Sequence, residues 1–135
     1  MAVRNPVTIS IKRLMRGLPV KGGVTINEGE IVTQITATGM CTAGGTQAAS
    51  RGVGIAAFTA VNGGADGSVT IDVWQGVFLL DADPTNPPTS INIGGPVKDT
   101  GPNTVDNGTA GLNNVGTCVG LGFSGEPGVQ VEIEE

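Results

Sequence analysis

Short runs of alternating apolar and polar residues recur along this chain, and glycine, asparagine and proline separate them. The clearest run is SVTIDVWQ, residues 68–75, where β-branched residues occupy every second position. A period of two residues is that of a β-strand. Glycine and proline, 23 and 8 of the 135 residues, lie largely between such runs, where they favour turns. The sequence therefore predicts an all-β protein, a compact β-sandwich or small β-barrel with long loops and little helix.

Other segments follow the same logic. Strands are predicted for residues 7–12, 24–26, 31–37, 53–61, 77–80, 115–123 and 129–134. Residues 38–52, with a short helical turn at 47–51, and the polar segments 81–90 and 99–114 are predicted to be loops. Gly76 stands where alternation gives way to an unbroken apolar run, which favours a β-bulge or a sharp bend at that position. The last two strands are predicted to form a hairpin with a five-residue loop.

The charge is divided unevenly between the two ends. Five of the seven basic residues precede the first acid, Glu28, so residues 1–27 carry a charge of +5. The two remaining basic residues and the twelve acids leave −10 on residues 28–135. We therefore divide the chain into a basic N-terminal arm or edge strand, residues 1–22, and a single β-domain, residues 23–135. Such a segment suits contact with an acidic surface, on a nucleic acid, another protein or a second copy of the chain, or it is simply solvated.

Trp74, the only tryptophan, falls on the polar side of its strand, beside Thr70 and Asp72. Two interpretations are open. Either the same chain covers Trp74, through the 81–90 loop or the glycine-rich face of residues 115–123, or Trp74 is an anchor between subunits, since tryptophan is enriched at binding hot spots.

The sequence lacks the residues that several kinds of enzyme chemistry require. The chain has no histidine, which removes Ser–His–Asp and Cys–His catalysis, and it has no phosphate-binding glycine loop. Asp81 and Asp83 are a weak candidate for a carboxylate pair or a calcium site. Cys41 and Cys118 are expected to be reduced and buried, with a disulfide between them as the alternative. No enzyme activity, cofactor or metal is predicted. Membrane insertion and direct nucleic-acid binding are not expected either, because long apolar runs and aromatic stacking platforms are lacking.

Four segments in order carry a family resemblance: GEIVTQI, RGVGIAAFTAVNGGADGSVTIDVWQGVF, IGGPV and VGTCVGLGFSGEPGVQVEIEE. From Glu30 onwards the chain resembles the capsid-cement, or head-decoration, proteins of tailed bacteriophages. The resemblance implies a small β-rich domain that forms trimers on the outer capsid surface and bridges major capsid proteins. The basic N-terminus and the segments 81–90 and 99–114 depart from the family pattern.

The resemblance leads to a set of expectations. The protein is expected to be a non-enzymatic, homotrimeric cement on the outer surface of a virion, made in the cytoplasm of a bacterial host. Residues 1–16 are expected to add a strand to a capsid sheet or to a neighbouring subunit. The residues expected to contact the capsid or another subunit are Arg4, Val7, Ile9, Ile11, Lys12, Arg13, Arg16 and Trp74. The alternative function is a carbohydrate-binding or host-recognition module of a virion, which would use the segments 81–90 and 99–114.

Overall fold

The computed structural model describes residues 7–123 and 126–133, and it confirms an all-β fold with little helix. Eleven strands are present in this part of the chain, and its single helical element is a 3₁₀ turn at Ser90–Asn92. The strands are β1 Val7–Pro19, β2 Thr25–Ile26, β3 Ile31–Ile35, β4 Cys41–Ala43, β5 Ser50–Ala56, β6 Ala60–Val61, β7 Thr70–Ala82, β8 Pro96–Lys98, β9 Thr104–Val105, β10 Asn114–Phe123 and β11 Glu126–Ile133.

Strand β7 lies at the centre of the main sheet and pairs with β1, β5, β9 and β11. β1 runs antiparallel along one of its edges, from Thr70 to Leu79. β5 and β11 share the opposite edge, since β5 pairs at Trp74 and Val73 and β11 pairs from Gly76 to Leu80. The full path is β4-β3-β5-β7-β11-β10-β8, with β9 added in parallel at the end of β7. β2 and β6 form a separate two-stranded sheet.

The sheet has apolar cores on two faces, and β7 contributes to both. The first core contains buried side chains from β3, β5 and β7–β11, and Phe78 and Leu80 are the contribution of β7. The second core contains side chains from β2–β7 and Val20, and Ile71 and Val73 are the contribution of β7. Odd and even positions of a strand point to opposite faces, so this division follows the pleat of β7. Trp74 packs against the first core.

The β-bulge predicted at Gly76 occurs at this position of the β1–β7 ladder, but its extra residue belongs to β1, between Ile11 and Arg13. Phe78 and Leu80 continue the face that Trp74 begins, so the alternation of β7 runs through Gly76. The bulges lie instead in β1, at Thr8/Ser10, at Ile11/Arg13 and at Met15/Leu18. Gly76 is needed because β1 approaches it closely: a Cβ at this position would overlap the carbonyl oxygen of Ser10, and its φ is +155°.

Other local predictions also need correction. The segment 38–52 holds strand β4 and the start of β5, so the helical turn at 47–51 is absent and Ser50 pairs with Ile35. The final hairpin is tighter than five residues, since Phe123 pairs with Glu126. Bulges in β10 also break the predicted alternation of 115–123: Val115 and Cys118 are buried, whereas Val119 is exposed.

The polar segment 99–113 is packed more tightly than a surface loop. Asp99 is fully buried, and its carboxylate accepts hydrogen bonds from the backbone amides of Gly45 at 2.6 Å and Asn113 at 2.8 Å. The Asn113 side chain accepts from the Ser50 amide and donates to the Gln47 carbonyl. These bonds fasten the segment to the turn between β4 and β5.

A second carboxylate shapes the same segment from within. Burial opposes ionisation of Asp106, but backbone amides of Gly108, Ala110, Gly111 and Lys98 donate to its two oxygens. These bonds outweigh the burial and hold the pKa of the Asp106 carboxyl below its usual value of 3.8. The charged carboxylate therefore replaces the strand partners that this stretch of backbone lacks.

Both cysteines are buried and free, as the sequence led us to expect. Cys118 belongs to the first core and Cys41 to the second. Burial raises the pKa of the Cys41 thiol to about 12, and the nearby charge of Arg51 offsets only part of that effect. Cys41 is therefore a packing residue and not a thiolate at neutral pH.

Candidate interaction surface around β1 and Trp74

Strand β1 brings most of the predicted contact residues together on one exposed edge of the molecule. Its 13 residues pair with β7 of the same chain, and within the described residues no strand pairs with its other edge. Ile9 is 41% exposed and Ile11 is 49% exposed. Lys12, Arg13 and Arg16 are also exposed. Arg4 lies outside the described residues.

The bulges change how this strand presents its side chains. Val7 pairs with Leu79 and Ile11 pairs with Gly76, and these two positions of β7 are an odd number of residues apart. The alternation of residues 7–11 in sequence therefore does not give one continuous apolar face. Bulges also interrupt a regular ladder and protect a sheet edge from further pairing. The outer edge of β1 is consequently suited to side-chain contacts more than to strand addition.

The basic residues of β1 have different surroundings. Lys12 forms an ion pair of 2.8 Å with Glu132 of β11. Arg13 donates from Nε to the Gln75 side chain at 2.6 Å, and the buried Gln75 amide donates in turn to the Val53 carbonyl at 2.8 Å. Arg16 is exposed, and its side chain forms no hydrogen bond or ion pair with another described residue.

Trp74 lies at the open end of the first core, next to β1. It pairs with Ile55 of β5 on one side and with Leu14 of β1 on the other, and it is half-buried. Its ladder neighbours are thus β1 and β5, and its side chain packs against the first core of the same chain. The side of β7 that looks polar in sequence faces the first core from Trp74 onwards.

A cavity of about 140 Å³ opens beside Trp74. Residues of β1, β5 and β7 and of the turn before β3 line it. The lining residues are Thr8, Glu28, Gly29, Ile55, Ala56, Trp74 and Phe78. Sequence reasoning found only Trp74 in this set. No local motif marks Glu28 or Thr8, because three segments distant in sequence bring them together.

The acidic candidates from the sequence are structural. Asp83 accepts hydrogen bonds from the backbone amides of Thr85 and Asn86, which is the bonding of an Asx turn. Asp81 lies in β7 and pairs with Thr104. Among residues 7–123 and 126–133, no group of three or more histidine, cysteine or acidic side chains is placed to hold a metal ion.

A larger cavity of about 280 Å³ lies between β5 and β10. Arg51 and Gly52 line one wall, and Pro96 and residues 114–117 line the other. A Cβ on Gly52 would lie 2.5 Å from the Cα of Val115, so glycine permits the close crossing of the two strands here. This cavity thus marks where the two halves of the sheet cross, and none of the predicted contact residues lines it.

Comparison of the chain with protein-family models, curated proteins and solved structures gave no match. In the part of the chain that the structure describes, no helix has the length and apolar character of a membrane span.

Proposed function

We propose that this protein is a non-enzymatic capsid cement that binds the outer surface of a phage head as a homotrimer and bridges major capsid proteins. The observation that carries the proposal is strand β1, which presents exposed Ile9, Ile11 and Arg16 along one edge of an otherwise acidic domain. The order of the four sequence segments that resemble the family gives independent support. A cement of this kind acts through the area that it buries against the capsid. Its contact residues therefore need to be correctly placed, but they do not need to be chemically reactive.

The trimeric state would explain how the small exposed edge of β1 could be sufficient for binding to the capsid. A trimer that engages three equivalent sites at once gains avidity, so each copy needs only a modest contact. Apolar side chains flanked by basic ones suit such a contact, because charge guides the encounter and apolar burial retains the complex.

Co-sedimentation with capsids tests the proposal. Expanded heads would be assembled from a major capsid protein encoded in the same genome, and binding would be titrated. We expect the double variant Ile9→Ser/Ile11→Ser to bind at least about tenfold more weakly, because it removes exposed apolar area at the contact. Val61→Ser is the matched control, since Val61 is 62% exposed on the separate β2-β6 sheet.

Two results would contradict the cement function. One is a genome without a major capsid gene, and the other is a wild-type chain that stays in the supernatant when expanded heads are pelleted. Equal binding by the double variant and the wild type would contradict the role of β1 alone.

Glycan binding is the second candidate, and the half-buried Trp74 beside a cavity that Thr8 and Glu28 also line favours it. The segment 99–113 offers it little, because Asp99, Asp106 and Asn113 are buried and bonded within the protein. A glycan array combined with titration of Trp74 fluorescence tests this function. Saturable binding that Trp74→Ala abolishes would support it over the cement.

A further inference from the structure

Two residues that line the cavity beside Trp74 have polar side-chain groups without a hydrogen-bond partner among the described residues. The Glu28 backbone amide donates to the Thr59 hydroxyl at 3.0 Å, but the Glu28 carboxylate makes no hydrogen bond or ion pair with another described residue. The Trp74 indole likewise has no hydrogen-bond partner among the described residues. Half-buried Trp74 and exposed Glu28 thus line the same small space, together with Ile55 and Phe78.

This combination suits a cationic side chain. The face of an indole attracts an ammonium or guanidinium group, and arginine stacks on it best because its head is planar. A carboxylate at the same site accepts hydrogen bonds from the guanidinium. The size also fits, since an apolar cavity of roughly 150 Å³ holds a molecule as large as benzene, and this one is about 140 Å³. An extended oligosaccharide would exceed that space.

The chain itself carries a suitable cation on its exposed edge. Of the basic residues between Val7 and Asn27, Lys12 pairs with Glu132, Arg13 with Gln75 and Lys21 with Gln47. Arg16 is the exception, because it is exposed and unbonded to other described residues. It forms no ion pair with Glu28 of its own chain. Among the described residues, the Glu28 carboxylate therefore lacks a donor and the Arg16 guanidinium lacks an acceptor.

We propose that Arg16 of one copy inserts into the cavity of a second copy, where it stacks on Trp74 and binds Glu28. In a homotrimer with three-fold symmetry the contacts are head-to-tail, so Arg16 of each copy would meet the cavity of the next and the ring would close. The inference rests on the proposed homotrimer and assigns its subunit interface. The apolar residues Ile9 and Ile11 stay available for the capsid.

Charge exchange tests the contact in solution, without capsids. Sedimentation equilibrium would give the association constant of the wild type and of three variants: Arg16→Gln, Glu28→Gln and the exchange Arg16→Glu/Glu28→Arg. We expect each single variant to associate at least about tenfold more weakly, and the exchange to recover much of the loss because the pair is restored in reverse. Lys21→Gln is the control, since it removes the same charge from the same basic segment.

Trp74 supplies a second readout. Its emission should shift with protein concentration in the wild type and in Lys21→Gln, and should shift only at higher concentration in Arg16→Gln. Association of Arg16→Gln and Glu28→Gln with wild-type affinity would overturn the inference, as would a wild-type chain that stays monomeric at all concentrations. Binding of such a monomer to expanded heads would refute this interface and leave the cement function standing.

Discussion

Segment 99–113 and strand β1 both have structures that differ from what their sequences suggest. The segment is polar and rich in glycine, yet its Asp99, Asp106 and Asn113 side chains turn inward and bond to the backbone. Strand β1 is regular and alternating in sequence, yet it carries three bulges and exposes much of its length. The difference shows that buried hydrogen-bond acceptors, as well as alternating apolar side chains, hold segments of this protein in a fixed conformation. It also shows that a regular alternation of apolar and polar residues can belong to an exposed strand.

The largest expected effect is on the segment. Asp99→Ala would leave the Gly45 and Asn113 amides buried without an acceptor, and the loss of bonds to a charged group adds to that penalty. We expect the free energy of unfolding, measured with urea, to fall by about 4 kcal/mol. Thr109→Ala, at an exposed position of the same segment, serves as the control. A loss as small as that of the control would mean that the segment is held by other contacts.

A smaller loss is expected where β1 meets β7. Gly76→Ala would place a methyl group against the carbonyl oxygen of Ser10 and 2.9 Å from the Cα of Ile11, so β1 must move away. We expect a loss of about 3 kcal/mol in stability and faster hydrogen exchange along β1. The control is Gly63→Ala, because a Cβ at Gly63 meets no atom within 4 Å. Unchanged exchange along β1 would show that the strand tolerates displacement.

The dependence of stability on pH should report on Asp106. Its pKa is lower in the folded protein than the ordinary 3.8, so the stabilisation is fully present above that value and is lost as pH falls through the folded pKa. Replacement by asparagine removes the titration. We therefore expect Asp106→Asn to be less stable at neutral pH and to lose less stability between neutral pH and pH 2 than the wild type does. Parallel acid profiles for the two proteins would contradict this assignment.

The smallest effect on stability is expected on the exposed part of β1. Ile11→Ser replaces a side chain that is 49% exposed, and we expect unfolding to change by less than about 0.5 kcal/mol. Ile55→Ser is the contrast, since Ile55 is 4% exposed in the first core and its replacement buries a hydroxyl. A large loss from Ile11→Ser would mean that Ile11 packs within the protein and is not available for contact.

The fold class could be predicted because it depends on local pattern. β7 and the final hairpin combine β-branched alternation with turn residues, and both are present. Two of the short strands could not be predicted: β4 has three residues and β9 has two, and they exist through their pairing with β3 and β7. The predicted helical turn at 47–51 failed for the same reason, since the pairing of Ser50 with Ile35 decides that conformation.

The candidate site could be predicted only in part. Exposed β1 and Trp74 stood out from charge and alternation, and the structure brings Leu14 of β1 next to Trp74. The partners of Trp74 at the cavity could not be foreseen, because Thr8 and Glu28 reach it from separate segments. Nor could the bulges away from Gly76, since they are mismatches between two strands and have no signature in either one alone.

The contribution of β7 to both cores has a consequence for how the protein unfolds. Ile71 and Val73 anchor one core, and Phe78 and Leu80 anchor the other, through a single uninterrupted backbone. Neither core can lose this strand without exposing the other, so the two should melt together in one cooperative transition. A pull on β1 would likewise be shared by both cores through β7, and this property would suit the proposed capsid cement.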